Sequence, residues 1–278
     1  MPDPFAYCAD LVRTADRDRF IASLFAPVAQ RAPLHALYAF NSEVARVREV
    51  AREALPGEVR LQWWSEVIGG ERRGEAQANP VASALLATIE SHGLPPARLI
   101  DLIEARRFDL YDEPMAALAD LEHYATRTSS ALFALAAQIL SGSDAEAVAG
   151  PAGIAYAIAG LLRVFPLHAA RRQLYVPMEI LERHQAHPHD IFAGRSSAGL
   201  QAALTELRDL ARQHLRAAHA HRAALPLPAI PALLPLAPVR PLLDRLERSD
   251  PFAPAELAPW RRQWLIWRAA RNPARITG

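Results

Sequence analysis

Two stretches of the chain carry side chains that could grip an anion or a metal. The first is YAFNSEVARVRE, Tyr38 to Glu49. Tyr38, Asn41, Ala45 and Arg48 recur three or four residues apart, so on a helix they share roughly one face, with Glu43 in the same run. The second is LLRVFPLHAARRQLYVP, Leu161 to Pro177, which offers Arg163, His168, Arg171, Arg172 and Tyr175. Arginine holds phosphate or carboxylate through a planar two-pronged fork and needs no metal to do so. The bland alternative is that Arg163 and the Arg171–Arg172 pair form ion pairs within the fold or sit in solvent.

Other groupings point to metals less directly. Glu49 and Glu53 are spaced i, i+4, and FDLYDEP gathers Asp109, Asp112 and Glu113. Oxygen ligands of this kind suit magnesium. Surface solvation and helix-end effects explain both sets more simply, and that is the expectation here. HQAHPHD holds His184, His187, His189 and Asp190, ligand types suited to zinc or nickel. Their spacing matches no zinc motif, and an exposed polar loop is expected. The single cysteine, Cys8, excludes an intrachain disulfide and is expected to be a small residue near the first helix. All 31 basic residues are arginine, which removes Schiff-base and amine chemistry. There is no glycine-rich phosphate loop, no G-x-S-x-G and no H-E-x-x-H.

Helices must position these groups. Apolar residues recur at helical spacing through most of the 278 residues, and strand-like alternation is nearly absent. The pattern predicts helices over about Pro4–Ser23, Ala29–Ala54, from Gly57 through RLQWWSEVIGG, after Asn79-Pro80, Pro96–Asp112, Asp120–Leu140, Ala145–Arg163 and Ala198–Ala224. Glu179 to His184 predicts a short turn of helix. LPLPAIPALLPLAPVRPLL alternates proline with leucine, so it reads as a buried, kinked segment and not a flexible linker. The last helix, PWRRQWLIWRAAR, places Trp260, Trp264 and Trp267 on one face. They could lie at a membrane interface; docking on the bundle with the tryptophans in the core is the simpler expectation.

The expected architecture is all-α: one domain over residues 1–278, with residues 225–278 packed on the bundle. Half the chain is apolar and the formal net charge is only +1, which argues against a dedicated nucleic-acid binder. No apolar run approaches the ~20 residues of a spanning helix. With no secretory or mitochondrial leader pattern visible, a bacterial cytoplasmic protein is expected, with peripheral contact at the inner face of the membrane as an option.

Several blocks, in order, resemble the squalene/phytoene synthase family: Tyr7-Cys8, RAPLHALYAFNSEV, RLQWW, NPVASAL, LPPARLIDLI and RRQLYVP. The resemblance implies an isoprenoid-synthase-like bundle around a central cavity. In that family two aspartate pairs on facing helices hold magnesium, which neutralises the leaving diphosphate. Laid on that pattern without gaps, the sequence has Ala45 and Glu49 at the first pair and Val164 and His168 at the second. Three of the four carboxylates are therefore missing. A neutral histidine favours softer metals than magnesium, and Arg46 adds an opposing cation. Pro166 also interrupts the second helix.

The Phe-Asn-x-Glu run, Leu-Arg-x-x-Pro-x-His-x-x-Arg-Arg and YATRTSSAL resemble one branch of the superfamily, the complex I assembly factor 6 group and its bacterial relatives. That resemblance implies a synthase fold without the metal centre, with subunits or intermediates of respiratory complex I as partners and no cofactor. The alternatives are a working head-to-head prenyl transferase with an atypical magnesium site, or a carrier without turnover. If the two motif helices still face one cavity, Arg163, His168, Arg171, Arg172 and Tyr175 would lie across from Tyr38, Asn41, Glu43 and Arg48. Such a pocket would suit an isoprenoid or anionic lipid.

Overall fold

The computed structural model describes residues 3–51 and 53–277. The described residues form helices joined by turns, with no strand among them. Helix α1 (Pro4–Ala15) ends at Asp16, and α2 (Arg17–Ser23) begins there. The Asp16 carboxylate caps α2 by accepting from the Arg19 amide at 3.1 Å, so the predicted single helix Pro4–Ser23 is broken in two. Helix α3 (Val28–Ala45) likewise stops short of the predicted Ala54; a single turn, Val47–Val50, follows it before α4 (Ala54–Gly69).

Helix α5 (Pro80–His92) starts as the sequence indicates, with Asn79 Oδ1 accepting from the Val81 and Ala82 amides at 2.9 and 3.0 Å. Helix α6 (Pro96–Arg106) runs into a tight turn, Arg107–Leu110. The predicted helix Asp120–Leu140 is α7 (Leu118–Ala125) and α8 (Ala131–Ser141), with a wide π turn over Thr126–Ser130 between them. This turn meets α9 (Glu146–Arg163) very closely: a methyl group on Gly153 would sit 2.2 Å from the Ser130 backbone nitrogen. Ser130 Oγ donates to the Gly150 carbonyl at 2.6 Å, fixing the crossing.

At Val164 the chain turns out of α9 and restarts as α10 (Phe165–Ala170), with Pro166 in its first turn, where its missing amide costs nothing. Met178–Arg183 forms the short helix expected near there. The long α11 (Ala198–Ala220) packs along α9. The proline-rich segment is buried through Ala229, Ala232–Leu234 and Leu236 and leads into α12 (Val239–Glu247). The final helix, α13 (Pro259–Arg271), rests on α2. The core is one continuous cluster of side chains from α1 to α13, and α9 lies at its centre, in contact with α8, α11 and α12.

Candidate functional site

The two stretches singled out by sequence converge in part. The ends of both helices reach the turn at residues 107–112. Arg48, in the Val47–Val50 turn, donates to the Leu110 carbonyl and pairs with Asp112 at 2.8 Å. From the other stretch, Tyr175 donates to Asp109 Oδ1 at 2.8 Å and Gln173 donates to the Asp109 carbonyl at 3.3 Å.

Asp109 is the hub of a buried polar cluster. It accepts from the Tyr124 hydroxyl at 2.9 and 3.1 Å, and from Arg106 at 3.1 Å. Arg106 also donates to the Tyr124 oxygen at 2.6 Å. Burial, reinforced by the Asp109 charge, pushes the Tyr175 hydroxyl well above its ordinary pKa; burial raises Tyr124 too, against the pull of Arg106. Arg106 is held firmly charged by Tyr124 and Asp109, against its own desolvation. At 8% exposure, Asp109 corrects the expectation that FDLYDEP is a solvated surface run. It is desolvated but fully partnered, as a buried charge must be.

His168 rests against the Tyr175 ring, centroids 4.5 Å apart. Burial drives its pKa down to about 4, opposed by Asp109 and helped by Arg171. The ring is therefore neutral at pH 7, and its Nδ1 is buried without a partner. The void it borders, about 20 Å³, is water-sized at most.

A second polar group lies on the other side of α9. Arg19 is buried at 5% exposure in a cage of rings, 4.8 Å from the Tyr156 centroid, 5.6 Å from Tyr38 and 5.8 Å from Phe133. Asp16 pairs with it at 2.5 Å. Beyond Tyr156 lies a cavity of about 110 Å³, lined by Asp18, Tyr156, Gly160, Arg163 and Arg262 with apolar groups from the proline-rich segment and α12. Asp18 takes both Nε and a terminal nitrogen of Arg262, at 3.0 and 2.5 Å. Burial nevertheless pushes the Asp18 carboxyl above its ordinary range. Arg163 lines this cavity while pairing with Glu256 at 3.0 Å.

The remaining candidates disperse. Tyr38 and Asn41 are core residues of α3. Glu43 is half-buried, its pKa raised by burial and tempered by Arg60. Arg171 and Arg172 are exposed; Arg172 adopts a left-handed φ of 58° and lies over Phe192 at 5.2 Å. Of the histidine run, His184 bonds Glu206 at 2.6 Å and His189 approaches Asp190 at 3.7 Å. The loop expected there contains one helical turn, Pro188–Phe192, because proline suits a first helical turn. Among the described residues, no three or more His, Cys, Asp or Glu side chains are grouped to share a metal ion. Cys8 is buried, its thiol pushed up to about 12 by desolvation, so it is inert at neutral pH.

The four positions that align with the synthase aspartates do not fit magnesium. Ala45 and Val164 bring no donor. Glu49 is tied to Arg46 at 3.1 Å, and the His168 ring is packed on Tyr175. Asp109, the nearby carboxylate, has both oxygens engaged by tyrosine and arginine donors. Sequence reading missed Asp18, Arg19, Tyr156, Tyr124, Arg106 and Arg262 because each lies in a run that reads as an ordinary polar or apolar helix.

Comparison with known proteins agrees with this framework. The family model for squalene/phytoene synthase matches residues 12–268. The human protein named NADH dehydrogenase (ubiquinone) complex I, assembly factor 6, is 29% identical over 246 residues, covering 88% of this chain and 74% of that one. A phytoene synthase of Thermus thermophilus is 26% identical over 271 residues, covering 93% and 91%. The crystal structure of a dehydrosqualene synthase in complex with ligand superposes with a TM-score of 0.84, at 16% identity over 96% of this chain and 95% of that one, so the fold is shared.

Proposed function

This chain belongs to the squalene/phytoene synthase family, and from that premise we propose that it has kept the synthase bundle without the reaction and serves the assembly of respiratory complex I (NADH:quinone oxidoreductase). One observation carries the loss of chemistry. The ends of the two motif helices meet on a turn whose Asp109 carboxylate is consumed by Tyr124, Tyr175 and Arg106, and no free carboxylate pair stands at the four motif positions. Magnesium-assisted departure of a diphosphate needs hard oxygen ligands held open for the ion. The assembly role is supported by the likeness to complex I assembly factor 6 over nearly nine-tenths of the chain. The partners are then complex I subunits or assembly intermediates, met in the cytoplasm.

Purified protein incubated with farnesyl or geranylgeranyl diphosphate is expected to release no pyrophosphate, with or without magnesium. Metal-dependent condensation would restore the prenyl-transferase reading. Val164→Asp combined with His168→Asp is expected to stay inactive, because the helix is broken at Val164 and restarts at Phe165. In the organism that encodes it, deletion of the protein should lower assembled complex I and NADH-driven quinone reduction. Unchanged complex I in the deletion strain would remove the assembly reading.

A second reading, binding without turnover, is supported by the cavity beside Arg163, Tyr156 and Arg262. At about 110 Å³ it is below the usual ~300 Å³ of a ligand pocket, so it would take the anionic head of an isoprenoid or lipid and not a whole prenyl chain. A thermal shift with farnesyl diphosphate in the absence of magnesium, lost in Arg163→Gln, is its test.

A further inference from the structure

The outer face of α13 inverts what a docked terminal helix should show. Ile266 and Ala269 are fully buried against the bundle, and Arg262 reaches inward to Asp18. Trp260, Trp264 and Trp267 form a stripe on the opposite face and are 70%, 45% and 47% exposed. They are three of the five tryptophans in the protein, so most of its largest apolar side chains stand on one exposed helix face. This corrects the expectation that they enter the core.

Arginine accompanies them. Arg268 lies 4.2 Å from the Trp264 ring centroid and Arg271 5.1 Å from that of Trp267. From Leu257 to Thr277 the chain carries five arginines and no Asp or Glu. Helix α2, against which α13 packs, ends in a turn that exposes Leu24, Phe25 and Val28.

We propose that the Trp260–Trp264–Trp267 face of α13 is a docking surface for a lipid bilayer containing acidic phospholipid, on which the protein lies without inserting through it. Indole prefers the boundary between headgroups and acyl chains, where its ring is in hydrocarbon and its N–H in water. Guanidinium groups at the rim meet lipid phosphates, and a cationic face without carboxylates complements an acidic membrane. A protein partner with an acidic rim would answer the charge, but three bulky indoles on one convex helix fit a deformable apolar layer better than a preformed pocket. No described helix is long and apolar enough to cross a membrane, consistent with a surface mode. The surface stands independently of the assembly reading: membrane binding and complex I levels are separate readouts.

The test is flotation of the full chain with vesicles of equal parts phosphatidylglycerol and phosphatidylcholine, beside vesicles of phosphatidylcholine alone. Wild type is expected to float with the acidic vesicles and to detach as salt is raised. Trp260→Ala with Trp264→Ala and Trp267→Ala should weaken binding at least about tenfold. Arg261→Gln with Arg268→Gln and Arg271→Gln should abolish the preference for acidic vesicles. Brominated acyl chains should quench the tryptophan emission of the wild type, a readout that needs no variant to fold. Absence of wild-type binding to either vesicle, equal binding by the tryptophan variant, or no quenching overturns the proposal. Equal binding to both vesicle types overturns its acidic-lipid part.

Discussion

Asp109 and Trp260 lie in regions that sort their side chains in opposite ways. Around Asp109, a carboxylate, two tyrosines and an arginine are drawn into the fold and hydrogen-bond one another, with Arg106 Nε left without a partner. On α13, three indoles face outward while Ile266 and Ala269 fill the contact with the bundle. The first region withdraws polar groups from any partner, since nearly every donor and acceptor is already spent inside. The second leaves apolar surface that nothing among the described residues fully covers. Where the family resemblance implies chemistry, the protein is closed; where the sequence implies packing, it is open.

The largest effect that could break this contrast is at the closed region. Asp109→Ala strands Arg106 and two tyrosine hydroxyls in the interior and is expected to cost about 3–5 kcal/mol of stability, read from the midpoint of urea unfolding. A loss below about 1 kcal/mol would mean that the cluster is wetter and looser than described. The loss should exceed that of Asp109→Asn, which keeps the acceptor oxygen.

Next in size is the pH dependence of His168. Its folded pKa, about 4, lies below the ordinary 6.5 it regains on unfolding. Between those values the unfolded chain binds the proton and the folded chain does not. The His168 contribution to stability is therefore complete above about pH 6.5 and is lost as pH drops toward 4, by roughly 3 kcal/mol in all. Carboxylates also titrate in the lower part of this window, so the readout is the difference between wild type and His168→Gln, whose curve should be flatter. Identical curves would place the imidazole in water.

The open region should respond more weakly. The combined Trp260, Trp264 and Trp267→Ala variant should change stability by no more than about 1–2 kcal/mol, because Trp260 is mostly exposed and Trp264 and Trp267 keep nearly half their surface in solvent. Loss of a full Trp-sized core contribution, about 3–5 kcal/mol, would mean the stripe is packed and not free. Smallest of all, Glu49→Ala removes an exposed pair with Arg46 and should alter stability by no more than about 0.5 kcal/mol, with no change in thermal midpoint on adding magnesium. A magnesium-dependent midpoint in the wild type that this variant lacks would reopen the metal reading.

The helical framework was largely legible. Apolar periodicity located the main helices, Asn79-Pro80 marked a start, and Pro166 marked a break. The breaks at Asp16 and Arg46 were not legible, because apolar spacing continues through them and only the capping carboxylate of Asp16 and the local turn of the backbone interrupt the run. The candidate site was legible in half. His168 and Tyr175 do meet, and Arg48 reaches the same turn, but the sequence pattern around Asp109 reads as surface while the side chain is buried. Nothing local distinguishes it from Asp112, which reaches Arg48 from a mostly exposed position.

By itself, then, the sequence determined helix content, the order of the helices and the absence of carboxylates at three of the four motif positions. These depend on residue type and on spacings within one or two turns, where backbone hydrogen bonds and side-chain periodicity act. Which polar groups are buried, and which tryptophans are not, was decided only by tertiary structure. Tyr175 meets Asp109 from 66 residues away, and Arg262 meets Asp18 from 244. Pairings over such separations depend on how whole helices cross, and on the surface each crossing leaves uncovered, which no local pattern encodes.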